Sequence, residues 1–179
     1  MDYDSVRAQA KEFLNIYNPT GLVPFPFEET VRRLENVEII YLSKLNDNIS
    51  GAIFFQDGAF TIAINANKPK NRQNFTIAHE LGHYYLHSEW LKKHPADGFI
   101  DYSSTLDGTN ALLRPDALPT SAEAIIREKE ANNFAAEILM PADKVKTFWS
   151  LTHDIIECAD AFQVSKSAMA IRLERLGLV

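Results

Sequence analysis

An α+β fold follows from three features of the sequence. Three short runs rich in β-branched and aromatic residues crowd into residues 37–65, and helical periodicities flank them on both sides. Between the second and third runs sits Asp57-Gly58, a dipeptide that favours a tight hairpin turn because it tolerates positive φ. Together they predict a small three-stranded, mostly antiparallel sheet packed on helices, with short helices at the C-terminus.

Residues 4–17 place Val6, Ala10, Phe13, Leu14 and Tyr17 at helical spacing, and Asn18-Pro19 ends that helix. A second helix is expected over 27–35. Strands are expected over 37–42, 51–56 and 59–65; the last alternates Phe60, Ile62 and Ile64 with Ala59, Thr61 and Ala63 before Asn65. The pattern turns helical over 73–88. Residues 89–120 carry prolines and glycines without a sustained period and are read as a long functional loop. Ser121 is placed to cap a helix over 122–139, which Met140-Pro141 breaks. Short helices complete the chain.

The chain has 179 residues, suited to a single domain over 1–179: a core over 1–140 and a C-terminal helical subdomain over 141–179 packed on it. Hydrophobic residues at 46% and charged residues at 23% are globular values, which argue against disorder, collagen and coiled coil. One cysteine, Cys158, excludes an internal disulfide framework and a cysteine-rich zinc site. No apolar run approaches the ~18 residues of a membrane span, and the acidic start is no secretory signal, so a cytoplasmic protein without membrane partners is expected. The net charge of −6 argues against a duplex-DNA surface. In the C-terminal helices, whose helix–turn–helix pattern could suggest such a surface, Lys144, Lys146, Lys166, Arg172 and Arg175 are cancelled by Asp143, Asp154, Glu157, Asp160 and Glu174.

The chemistry concentrates in His79-Glu80-Leu81-Gly82-His83. Histidines four apart lie on one helix face, where two neutral imidazoles can bind one zinc. Glu80 is offset around the helix, so it can reach an attacking water without ligating the metal. Gly82 costs a helix about 1 kcal/mol relative to alanine, which points to close approach by another segment. A third ligand is required, since catalytic zinc sites usually have three protein ligands and one open position. His87, His94, His153 and the glutamates of the 122–139 helix are the candidates. His87 lies ~12 Å along the helix from His79, too far to share its metal while the helix is continuous. Glu123, Glu130 and Glu137 share a charged stripe that reads as a solvated face. Glu128 falls instead among Ala124, Ile125, Ala131, Asn132 and Ala135, where a lone carboxylate needs a partner, so the face argument favours Glu128 over Glu130.

The run Asn74-Phe75-Thr76-Ile77-Ala78-His79-Glu80-Leu81-Gly82-His83, with Leu86-His87, resembles the ImmA/IrrE family of metallo-endopeptidases. The stretch from Glu128 to Pro141 resembles that family's second signature, and the family's metal-binding glutamate matches Glu128. The resemblance implies a small zincin-like domain and a zinc endopeptidase, with His79, His83 and Glu128 as metal ligands and Glu80 as the base. One zinc per chain is expected, ahead of manganese or iron. The implied substrate is a helix-turn-helix repressor, cleaved to relieve repression in a stress, defence or mobile-element response. The resemblance also allows a nucleic-acid or small-molecule activator. His87, Tyr84 and Tyr102 are candidates for steadying the transition state or bracing a ligand. Residues Ala59, Phe60, Thr61, Ile62, Ala63, Ile64 and Asn65 are expected to form an edge strand that holds extended substrate. The 89–120 segment is expected to act as a lid. The alternative is a catalytically silent sensor of the same fold, or a DNA-binding regulator.

Overall fold

A computed structural model describes residues 3–94, 98–102 and 121–179. The elements run α1 (Tyr3–Tyr17), α2 (Phe27–Arg32), β1 (Val37–Leu42), β2 (Ile49–Gln56), β3 (Ala59–Asn65), α3 (Lys70–Lys93), β4 (Phe99–Tyr102), α4 (Ala122–Leu139), α5 (Ala142–Thr152), α6 (Ile155–Phe162) and α7 (Lys166–Arg175). The α+β class is as expected. The Asp57-Gly58 turn has both residues at positive φ, 51° and 84°, as a tight hairpin demands.

The sheet differs from the expectation in two ways. Among the described residues it has four strands, in the order β1-β3-β2-β4. The added strand, β4, falls in the stretch read as a loop; at four residues it is too short to declare a period. The second difference corrects the edge-strand assignment. β3, residues Ala59 to Asn65, is a central strand, parallel to β1 on one side and antiparallel to β2 on the other. Its main-chain groups are spent on two neighbours, so it cannot add a peptide strand. Among the described residues the sheet ends on β1 and β4.

Helix α3 begins after Pro69 and runs to Lys93, a turn beyond the expected end. From Thr76 to His83 every residue is buried. Such all-round burial marks a helix enclosed by protein rather than one lying on a surface. It packs on β2 and β3 on one side and on α4 on the other. Gly82 shows why the two helices meet so closely. A Cβ there would lie 3.0 Å from Ala131 Cα and 3.1 Å from its carbonyl oxygen.

Helix α4 starts where expected: Ser121 Oγ accepts from the Ala124 N–H at 3.1 Å. Its far end is tied to α7, where Arg172 bonds Glu137 at 2.9 and 2.7 Å and the Met140 carbonyl at 2.9 Å. Cys158, Phe162, Met169 and Leu173 of the C-terminal helices join the apolar core that contains Ile77 and Phe134. No described helix is long and apolar enough to cross a membrane. Of the segment proposed as a lid, residues 95–97 and 103–120 lie outside the described residues.

Candidate metal centre

The close contact at Gly82 and Ala131 sets α3 against α4 so that Glu128, nearly one turn before Ala131, faces His79 and His83. Glu128 Oε2 lies 3.3 Å from His79 Nε2, and Oε1 lies 3.4 Å from His83 Nε2. The two Nε2 atoms are 3.0 Å apart. Donors held by one tetrahedral ion at ~2.0–2.1 Å stand about 3.3 Å from one another. The three edges therefore match a single small cation, and two imidazoles with one carboxylate suit zinc. Both histidines are buried, while the Glu128 side chain is 24% exposed, so the site opens on the α4 side.

Electrostatics make the same point. Burial alone would lower the His79 pKa, but its hydrogen bond to Glu128 and that carboxylate's charge raise it to about 9. Burial lowers His83 to about 3, against the pull of Glu128, and the charge on His79 adds to the depression. Burial would raise Glu128, yet the bonds to both histidines hold it below the usual carboxylate range. Without a metal, a proton on His79 thus occupies the place a cation would take.

Glu80 sits beside this triangle and outside it. Its side chain is fully buried, and neither carboxylate oxygen has a hydrogen-bond partner among the described residues. Burial pushes its pKa well above the ordinary value. A buried carboxylate without a partner among the described residues is costly, so its persistence calls for a partner beyond them.

The residues behind the ligands complete the centre. His79 Nδ1 lies 3.0 Å from Asn132 Oδ1, so its N–H donates there and leaves Nε2 free to ligate. His83 Nδ1 lies 3.1 Å from His87 Nδ1, and His87 Nε2 lies 3.1 Å from Glu130 Oε2. The Phe99 ring of β4 stacks on His83 with centroids 3.8 Å apart.

Of the remaining sequence candidates, Tyr84 turns away. Its ring packs on Phe60, and its hydroxyl donates to the Glu35 carbonyl at 3.4 Å. Tyr102 ends β4 opposite Ile49, and its side chain lies outside the described residues. His87 joins the centre through His83. The β3 residues serve the core and the sheet: Phe60, Ile62, Ala63 and Ile64 are buried, Thr61 donates to Glu38, and Asn65 donates to the Ile49 carbonyl.

Asn132 and Glu130 are the contributors that sequence reasoning missed. Asn132 was legible in principle, lying four residues from Glu128 on the same face. The solvated stripe expected for Glu130 is corrected by the structure, in which Glu130 pairs with His87.

The sequence matches the Peptidase_M78 family model, described as the IrrE N-terminal-like domain, over residues 33–174. The chain belongs to this family. The matched range includes the three-donor cluster of His79, His83 and Glu128. No curated protein matches the sequence significantly. Among solved structures, a Mycobacterium tuberculosis transcriptional regulator shares the fold, with a TM-score of 0.61 at 16% identity. The match covers 97% of this chain and 52% of the regulator, so the chain spans about half that protein's length.

Proposed function

We propose that this Peptidase M78 member is a zinc-dependent endopeptidase whose substrate is a helix-turn-helix repressor. The observation that carries this reading is Glu80: a buried carboxylate without a hydrogen-bond partner among the described residues, next in sequence to a ligand of a three-donor cluster that could hold a metal. A purely structural metal site has no use for it.

His79, His83 and Glu128 would hold a divalent cation, which would supply Lewis-acid polarisation of a peptide carbonyl and acidify the attacking water. Glu80 accepts the water's proton at a carboxylate oxygen and delivers it to the leaving amine. Asn132 and His87 keep the Nε2 atoms turned toward the cation. β4 replaces β3 as the strand proposed to hold extended substrate, because it ends the sheet among the described residues and carries Phe99 against His83. The DNA-binding alternative is weakened by Arg172, which is buried in its pair with Glu137 and cannot reach a phosphate.

The test is cleavage of candidate repressors from the same genome by the zinc-loaded chain, followed by mass spectrometry. Wild type should cut one of them at a defined bond. Glu80→Gln should keep the metal and lose cleavage by about 10²- to 10⁴-fold. Equal cleavage by Glu80→Gln would contradict the assignment of Glu80 as the base.

A further inference from the structure

The polar groups behind the metal ligands are not equivalent. His79 is backed by a neutral amide, Asn132, directly from α4. His83 is backed by a second imidazole, His87, which is in turn backed by a carboxylate, Glu130. This second arrangement spans two helices: His83 and His87 are one turn apart on α3, and Glu130 comes from α4, two residues after the ligand Glu128.

The geometry permits one proton arrangement once His83 Nε2 is given to a cation. The His83 proton must then lie on Nδ1. That N–H can only donate to His87 Nδ1 at 3.1 Å, which must be the unprotonated nitrogen. The His87 proton is therefore on Nε2, where it donates to Glu130 Oε2 at 3.1 Å. Both bonds run the same way, from the ligand toward the carboxylate. Each hydrogen bond polarises the next, so negative charge on Glu130 is felt at His83 as increased donor strength. The segment is sheltered: His87 is 8% exposed and the Glu130 side chain 24%.

We infer that His87 and Glu130 form a two-residue relay that fixes the His83 tautomer and strengthens its bond to the metal. Both are positioning residues, acting through His83 rather than on substrate. The inference rests on the metal site of the proposed function, but it does not require the peptidase reading, because its readout is metal binding.

The experiment is zinc competition against a chromophoric chelator, using the full metal-free chain and its variants, with thermal unfolding of each metal-free protein as a control. His87→Ala should weaken zinc binding about 10- to 100-fold while the metal-free unfolding midpoint changes little, the scale seen when a group behind a ligand is lost. Glu130→Gln should weaken it less, about tenfold, and Glu130→Asp should recover part of that loss. The double variant His87→Ala/Glu130→Gln should be no worse than His87→Ala alone, since Glu130 acts only through His87. In the cobalt-substituted protein, the visible absorption bands should shift in His87→Ala and in Glu130→Gln. Should His87→Ala fail to fold, Glu130→Gln and Glu130→Asp still decide the matter. Wild-type zinc affinity and an unshifted cobalt spectrum in Glu130→Gln would overturn the relay. So would additive losses in the double variant.

Discussion

Helix α3 carries two buried polar clusters, and they differ in how their charge is balanced. Near its start, Arg72 Nη2 bonds both oxygens of Asp101 on β4 at 2.8 and 2.7 Å, its Nε donates to Ser50, and Thr76 donates to Asp101 at 2.9 Å. One cation and one carboxylate meet, both supplied by the chain. One turn further on, His79, His83, Glu128 and Glu80 place two carboxylates beside two imidazoles with no arginine or lysine bonded to either carboxylate among the described residues. The first cluster is closed and ties β4 to α3. The second is open, and its three donors, His79, His83 and Glu128, are spaced so that a cation could do there what Arg72 does for Asp101. The contrast separates a buried charge that serves the fold from one kept for chemistry.

Breaking the closed cluster should cost the fold and spare the metal. Arg72→Met strands Asp101 in the interior, and loss of one partner of a buried pair destabilises by about 3–5 kcal/mol. Denaturant unfolding of the metal-free variant would measure it, and zinc uptake by the fraction that remains folded should be near wild type. A loss below about 1 kcal/mol would mean that Asp101 is not dependent on Arg72.

Squeezing the helix contact should do the reverse. Gly82→Val places a branched side chain against the Ala131 backbone, 3.0 Å from where its Cβ would sit. α4 must retreat, and Glu128 with it. Zinc affinity should fall at least tenfold, a loss larger in proportion than the change in unfolding midpoint. Undiminished affinity would show that the close approach at Gly82 does not set the ligand geometry.

The smallest expected effect is a pH dependence confined to the open cluster. Glu128 raises the His79 pKa from 6.5 to about 9 in the metal-free fold. A group whose folded pKa is raised contributes stability that is fully present below about 6.5 and lost as pH rises through about 9. Stability of the metal-free protein should therefore decline over that window. Zinc should flatten the decline by taking the proton's place, and its binding near pH 7.5 should release about one proton, measurable by calorimetry in buffers of different ionisation enthalpy. A slope of opposite sign would place the proton elsewhere.

Much of this was legible in the sequence, for physical reasons that differ by element. Helix α4 has a serine cap and a Met-Pro break, so both ends could be placed. β3 was found by its alternation, but alternation reports faces and not neighbours. Its central place follows from β1 crossing over to lie parallel beside it and from β4 joining beyond β2. β4 itself is too short to show a period. The helix-face argument sets Glu128 apart from Glu130, and the structure places Glu128 against His79 and His83, but the same argument misjudges Glu130 and Glu137. A face computed on one helix says nothing of what a second helix brings to it. His87 reaches Glu130 from α3, and Arg172 reaches Glu137 from α7.

The central claim is that α3 and α4 build a three-donor metal site with Glu80 beside it and outside it. Elemental analysis of four purified proteins tests this most directly. Wild type and Glu80→Gln should each carry about one zinc per chain, whereas His83→Ala and Glu128→Gln should carry far less. Loss of zinc in Glu80→Gln, or its full retention in Glu128→Gln, would contradict the account.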